Sequence, residues 1–274
     1  MLTLNSQGKT LHSTKPLIMG ILNVTPDSFY QKSRVTAVSE AIDIAGKMLQ
    51  NGASIIDIGG QSTRPGASAI SASEELDRIG AVIEAVVQHF PGVFISVDTY
   101  HSEVAKQVAR LGAHIINDIS GGQYDPNMFT TIAALDVPYI VMHVNENKDQ
   151  MHSVNHNASI IPVVQDFFTK TSAAAKDAGI HQLIIDPGFG FSKSPEQNFE
   201  LISHLSAFAN FQKPILIGVS RKSTIYKTLG ITAAEALNGS TVLHTAAILN
   251  GASILRVHDV KEANEVVTLC SYLL

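Results

Sequence analysis

The chain has 274 residues, a formal net charge of −5 and a single cysteine, Cys270. A negative balance argues against a phosphate-backbone binder, which is expected to be basic. One cysteine excludes a disulfide framework or a cysteine metal site within one chain, and no apolar stretch reaches the length of a membrane span.

In chain order, Leu2 to Leu4 and Thr10 to His12 flank a Ser-Gln-Gly-Lys turn in which Gly8 can take positive φ, so a short hairpin is expected there. The same stretch has no basic start leading into an apolar run, and a cytoplasmic location is expected. Eight short apolar runs follow, at residues 17–24, 54–60, 94–98, 115–118, 139–144, 183–188, 215–220 and 254–259. They are nearly continuous in Ile, Val, Leu and Met, as strands buried on both faces require. Helical spacing separates them, as in Ile42, Ala45, Met48 and Leu49 or Leu76, Ile79, Val82, Ile83 and Val86. Eight strand and helix units within a chain near the usual barrel length of roughly 250 residues predict an α/β fold. The expectation is a single-domain (β/α)8 TIM barrel over residues 1–274, with the hairpin outside the barrel. A doubly wound sheet is the weaker alternative, because the first strand-to-helix turn lacks the G-x-G-x-x-G pattern.

The runs end on polar residues: Asn23, Asp57, Asp98, Asn117 with Asp118, His143, Asp186, Ser220 to Lys222, and Arg256 with His258 and Asp259. In a barrel these ends converge on one face. Asp98, Asn117 and Asp186 suit a nitrogen-rich heterocycle, since a carboxylate can take two parallel bonds from a cyclic amidine and its exocyclic amine. Asp57 is expected to be structural, capping nearby backbone groups. Asn23, Arg256 and His258 fall on the first and last barrel strands and suit a phosphate or pyrophosphate, with the asparagine carbonyl available to Mg²⁺. The Arg-x-His spacing sends both side chains to one face of a strand. The glycine-rich segment Gly59 to Gly66 reads as a lid carrying Arg64. Lys222 is expected to donate to the ligand, whereas Arg221 fits an ion-pair role equally well.

Five motifs occur in order: Met19-Gly20-Ile21-Leu22-Asn23-Val24-Thr25-Pro26-Asp27-Ser28-Phe29, Asp57-Ile58-Gly59-Gly60-Gln61-Ser62-Thr63-Arg64-Pro65-Gly66, Asp186-Pro187-Gly188-Phe189-Gly190-Phe191, Ser220-Arg221-Lys222-Ser223 and Arg256-Val257-His258-Asp259. Through them the chain closely resembles the bacterial dihydropteroate synthases, the folate-pathway family inhibited by sulfonamides. The resemblance implies condensation of 6-hydroxymethyl-7,8-dihydropterin diphosphate with 4-aminobenzoate, giving dihydropteroate and pyrophosphate with help from Mg²⁺. It implies a pterin site at Asp98, Asn117, Asp186 and Lys222, and a diphosphate site at Asn23, Arg256 and His258, with Asn23 on the metal. Phe29, Ser62, Thr63, Arg64, Pro65, Phe191 and Ser223 would surround the aminobenzoate. Arg64, Lys222, Arg256 and His258 are the residues expected to act in catalysis, and a homodimer is expected.

Three segments depart from the family pattern: Tyr30-Gln31-Lys32-Ser33-Arg34 replaces an acidic, glycine-rich stretch, Gln61 a common glutamate, and Val144-Asn145 the second half of a Met-His-Met-Gln segment. Two rival readings are a pterin-dependent methyltransferase domain and a non-catalytic pterin-binding relative. The first needs neither an aminobenzoate loop nor a diphosphate clamp. The second is expected to lose Lys222, Arg256 or Arg64, all of which are present.

Overall fold

The computed structural model describes residues 2–24, 34–62, 67–145, 147, 149, 151, 153 and 159–274. Strands β1 (Leu2–Ser6) and β2 (Lys9–Ser13) pair antiparallel, turned by Gln7 and Gly8, which are both at positive φ. Then come β3 (Leu17–Asn23), α1 (Arg34–Gln50), β4 (Ile55–Gly59), α2 (Ala72–His89), β5 (Phe94–Asp98), α3 (Ser102–Arg110), β6 (Ile115–Asp118), α4 (Met128–Leu135) and β7 (Tyr139–Met142). The chain continues through α5 (Ile161–Asp177), β8 (Leu183–Asp186), α6 (Pro195–Ser203), β9 (Leu216–Ile217), α7 (Ser223–Leu229), α8 (Leu237–Leu249), β10 (Ile254–Val257) and α9 (Val260–Cys270). Short 3₁₀ turns at Leu205–Phe211 and Ala233–Glu235 complete it.

The eight later strands run in the order β8-β7-β6-β5-β4-β3-β10-β9, each pair parallel. A parallel bridge between Ile185 and Ile215 joins the two ends of that order and closes the barrel. Closure excludes the open doubly wound sheet. Strand β9 is shorter than its apolar run, because Lys222 N–H already bonds to Val219 O in the turn beyond it.

Side chains alternate across a strand with a period of two, so each strand feeds two layers. Met19, Ile55, Phe94, Ile115, Ile140, Ile184, Leu216 and Ile254 form one buried cluster, which is the lumen of the barrel. Their neighbours Ile18, Ile56, Ile95, Ile116, Val141, Ile185, Ile217 and Leu255 pack in a second cluster with helix residues such as Ile79, Ile83, Val104 and Val164. Leu2 and Leu4 of the hairpin belong to the lumen cluster. The hairpin is a separate sheet outside the barrel, as expected, and it plugs the barrel's N-terminal end. It is held there by a reciprocal pair, Asn5 N–H to Gln182 Oε1 at 2.7 Å and Gln182 Nε2 to Asn5 O at 2.6 Å. Gln7 Nε2 adds bonds to Ala109 O and Ala113 O. With that end filled, a ligand can enter the lumen only from the C-terminal ends of the strands.

Candidate active site

Extending the lumen series two residues at a time leads from the apolar plug to Asn23, Asp57, Gly59, Ser96, Asp98, Asn117, Met142, Asp186, Arg256 and His258. Register then sets their heights: Asn23 lies beside Gly59, Gly59 beside Asp98, and Asp98 beside Asn117. Asp118 has the opposite parity. It is buried outside the lumen, where Oδ2 accepts from Tyr139 Oη at 2.6 Å and Gly122 N–H, and Oδ1 from Ser120 N–H.

Arg256 is the hub of the lumen group. Its Nε donates to Asp57 Oδ2 at 2.6 Å and its Nη2 to Asp98 Oδ2 at 2.8 Å. Asn117 Nδ2 donates to the same Asp57 oxygen at 3.1 Å. Asp57 does not cap backbone groups, the role expected of it from the sequence: its Oδ2 receives two side-chain donors, Arg256 and Asn117, and orients both. Burial raises Asp98 to about 7, against the pull of Arg256 and with reinforcement from Asp57, Asp118 and Asp186. Burial opposes the charge of Arg256 as well, yet Asp57 and Asp98 outweigh it and raise its pKa. A permanently charged guanidinium between two buried carboxylates is the arrangement that lets such acids be buried at all.

Asp186 ends β8, and its Oδ1 accepts from Gly188 N–H at 2.8 Å, leaving the second oxygen for a ligand. Burial raises its pKa, and Lys222 pulls it back down. The turn after Asp186 requires glycine at two places. Gly188 has φ of 73°, and a Cβ there would sit 2.0 Å from His143 O; Gly190 has φ of 83°, and its Cβ would meet Lys222 Cδ at 2.6 Å. Lys222 Nζ donates to Phe189 O and lies 4.3 Å from the centre of the Phe191 ring. Burial brings Lys222 down to about 8 despite the nearby Asp186 charge. Ser223 opens α7 directly after it. Lys193, absent from the sequence reading, is buried beneath this turn. Its signal was its place two residues beyond Phe191 in the third motif, where a lysine reads as an ordinary surface residue.

The diphosphate candidates lie at the rim. Asn23, the last residue of β3, and His258, just beyond the neighbouring β10, are both exposed. His258 is fixed by Ser220, whose Oγ accepts from His258 N–H at 3.2 Å and lies 3.1 Å from Nδ1. Arg221 is structural: it makes a two-pronged pair with Asp259 at 2.8 and 2.9 Å and donates to Ala233 O and Ala234 O. Ser62 is half-buried, next to Gln61, whose amide exchanges bonds with Tyr100 Oη at 2.7 and 2.9 Å. Val144 joins Tyr100, Ile119, Met142 and Phe191 in an apolar cluster, and Asn145 O accepts from Tyr124 Oη. Asp27, Phe29, Thr63, Arg64 and Pro65 lie outside the described residues.

The chain that builds this lumen is similar to known proteins over nearly its whole length. Residues 19–258 match the family described as pterin binding enzyme. Dihydropteroate synthase of Escherichia coli (strain K12) is 41% identical over 262 residues, covering 95% of this chain and 92% of that one. The chain belongs to the dihydropteroate synthase family. The Yersinia pestis dihydropteroate synthase, solved with a sulfonamide drug, superposes with a TM-score of 0.92 at 38% identity and covers 99% of both chains. The Xanthomonas albilineans dihydropteroate synthase was solved with 4-aminobenzoic acid, at a TM-score of 0.90, 36% identity and coverage of 99% of this chain and 97% of that one. The same protein was solved with 7,8-dihydropteroate, at a TM-score of 0.89, 34% identity and coverage of 99% and 98%. Dihydropteroate synthases are transferases of folate synthesis, and these relatives bear out the synthase reading over the methyltransferase one.

Proposed function

We propose that the open end of the barrel is a two-part pocket that joins 6-hydroxymethyl-7,8-dihydropterin diphosphate to 4-aminobenzoate and releases pyrophosphate. The observation that carries this reading is the Arg256 fork between Asp57 and Asp98, with Asn117 on the same Asp57 oxygen. It presents Asp98 and Asn117 side by side to a ligand edge, across the lumen from Asp186 and Lys222. In this reading the carboxylates accept from the pterin amidine and amine, and Lys222 donates to its acceptor atoms. His258, Arg256 and Asn23 face the diphosphate. Phe191, Ser62 and Ser223 lie toward the aminobenzoate, and the resemblance adds Phe29, Thr63, Arg64 and Pro65.

The bond that breaks joins the pterin methylene carbon to the diphosphate oxygen, which leaves with the electron pair. The arylamine lone pair then forms the new C–N bond and the nitrogen gives up a proton. A neutral amine needs no strong base, so the demand on the protein is to hold the methylene and stabilise charge on the leaving group. Arg256 and His258 serve the second need. The exposed carboxamide of Asn23 is the hard oxygen donor that Mg²⁺ accepts, and such ions commonly rest on one or two protein oxygens plus substrate phosphates. That donor set agrees with the described residues, among which no group of three or more His, Cys, Asp or Glu side chains could hold a metal by itself. When bound, Mg²⁺ offsets negative charge on the departing pyrophosphate.

The proposal extends to assembly and location. Val242 and Leu249 on α8, Leu269 on α9, and Tyr272, Leu273 and Leu274 after it are exposed, which supports a symmetric homodimer through this face. A lone, buried Cys270 suits the reducing cytoplasm. The deciding experiment incubates the protein with both substrates and Mg²⁺ and detects dihydropteroate by mass. Product and pyrophosphate are expected only when both substrates are present, with the rate falling on chelation of Mg²⁺. Methyl transfer from a folate without dihydropteroate would overturn the reading.

A further inference from the structure

Lys193 is 6% exposed, and burying an ammonium is costly unless its N–H groups are all taken. Its Nζ donates to Gly188 O at 2.9 Å, Phe191 O at 3.0 Å and His143 O at 3.3 Å, which uses every donor a lysine has. These carbonyls come from two loops. His143 follows β7, whereas Gly188 and Phe191 bracket the glycine turn after β8. Both loops reach the pocket: Gly188 N–H orients the Asp186 carboxylate, and the Phe191 ring lies against the Lys222 ammonium. The opposite side of the turn is held by Asn198, whose Oδ1 accepts from Gly190 N–H at 2.6 Å, and by Lys222 on Phe189 O.

We infer that Lys193 is a positioning residue for pterin binding, its ammonium drawing the end of β7 and the 188–191 turn together so that Asp186 and Phe191 are set before the ligand arrives. It acts through backbone carbonyls and touches no substrate. The inference rests on the reading of Asp186 as a pterin ligand. Charge matters to it, because a neutral amine has two N–H groups and turns a lone pair toward the third carbonyl, losing one bond and repelling an acceptor. Burial lowers Lys193 to about 7, with Asp186 opposing that shift and Lys222 adding to it. The titratable groups around it are Asp186 on β8, Lys222 beyond β9 and His143 beyond β7, the last driven neutral by burial and by Lys193 itself. Asp98 and Arg256 act on Asp186 and Lys222 from across the lumen. By linkage, a ligand tightened by the ammonium must in turn stabilise the ammonium.

The test is calorimetric titration with the dihydropterin diphosphate at pH 6 and pH 9, using the wild type, Lys193→Met, Lys193→Gln and Asp186→Asn. At pH 6 both Lys193 variants are expected to bind about tenfold more weakly than wild type, and at pH 9 the ratio is expected to shrink below about threefold, because the wild-type amine is then neutral. Asp98 titrates in all of these proteins and cancels in the ratio, and the side-chain ¹⁵N titration of wild-type Lys193 separates its own midpoint from that of Lys222, to which it couples. Wild-type affinity of the Lys193 variants at pH 6, or a penalty equal at both pH values, overturns the inference. Asp186→Asn separates the two levels: if it binds as wild type, the pterin reading itself has failed. If it binds weakly while the Lys193 variants do not, only the role of Lys193 falls. Should neither Lys193 variant fold, side-chain ¹⁵N NMR of wild-type Lys193 decides. A titration midpoint raised by about one unit on ligand binding supports the role, and an unmoved midpoint overturns it.

Discussion

Asp98 stands between opposing effects, desolvation raising its pKa and Arg256 lowering it, and desolvation, helped by Asp57, Asp118 and Asp186, brings it to about 7. The free protein at pH 6 therefore holds a proton there that two N–H donors from a pterin would displace. Pterin binding is expected to release close to one proton from Asp98 at pH 6 and almost none above pH 8, so affinity falls as pH drops below about 7. Calorimetry in buffers of different ionisation enthalpy measures this, and Asp98→Asn should remove that release; an unchanged proton count in the variant would count against Asp98 as the acceptor. Asp98 and Asp118 look alike in sequence, each an acid ending an apolar run. What separates them is strand parity, and runs such as Ile115-Ile116 and Ile184-Ile185 are apolar on both faces, so the lumen side is not marked. Lys193 was hidden for a related reason, since nothing in a Phe-Ser-Lys-Ser stretch announces that three carbonyls surround its ammonium.

At the scale of elements, the hairpin is the clearest case of local chemistry giving the element and packing giving its purpose. A Gln-Gly turn between two alternating strands is enough to predict β1 and β2, and the observed register matches. They form a sheet outside the barrel, as the sequence predicts, and packing adds that Leu4, 2% exposed, seals the lumen from below. Leu4→Ala is expected to lower unfolding free energy by about 2–5 kcal/mol in a urea titration. KM for both substrates should stay within experimental error, because the pocket opens at the opposite end. A stability loss below about 0.5 kcal/mol would show that the hairpin is not part of the core. The strands β7, β8 and β9 stop short of their apolar runs, because the extra residues are taken up in turns that carry Val144, Gly188 and Val219.

For the whole molecule, the exposed apolar residues of α8, α9 and the chain end set an expectation about assembly. Leu269→Glu combined with Leu249→Glu should convert a dimer into a monomer in sedimentation velocity at micromolar concentration while leaving far-ultraviolet circular dichroism unchanged. A variant that sediments as the wild type would place any interface elsewhere. By itself the sequence determined the alternation of eight buried strands with helices, because continuous apolar runs and helical periodicity are local properties, and it favoured a barrel over an open sheet; the bridge between Ile185 and Ile215, a tertiary contact, decided closure. The sequence also determined which polar residues end the strands, and through five ordered motifs it pointed to the family. Only the tertiary structure decided which of those residues share the lumen. Closing the barrel brings Arg256 to Asp57 and Asp98, far away along the chain, and it is burial at that meeting point that raises Asp98 against the pull of Arg256.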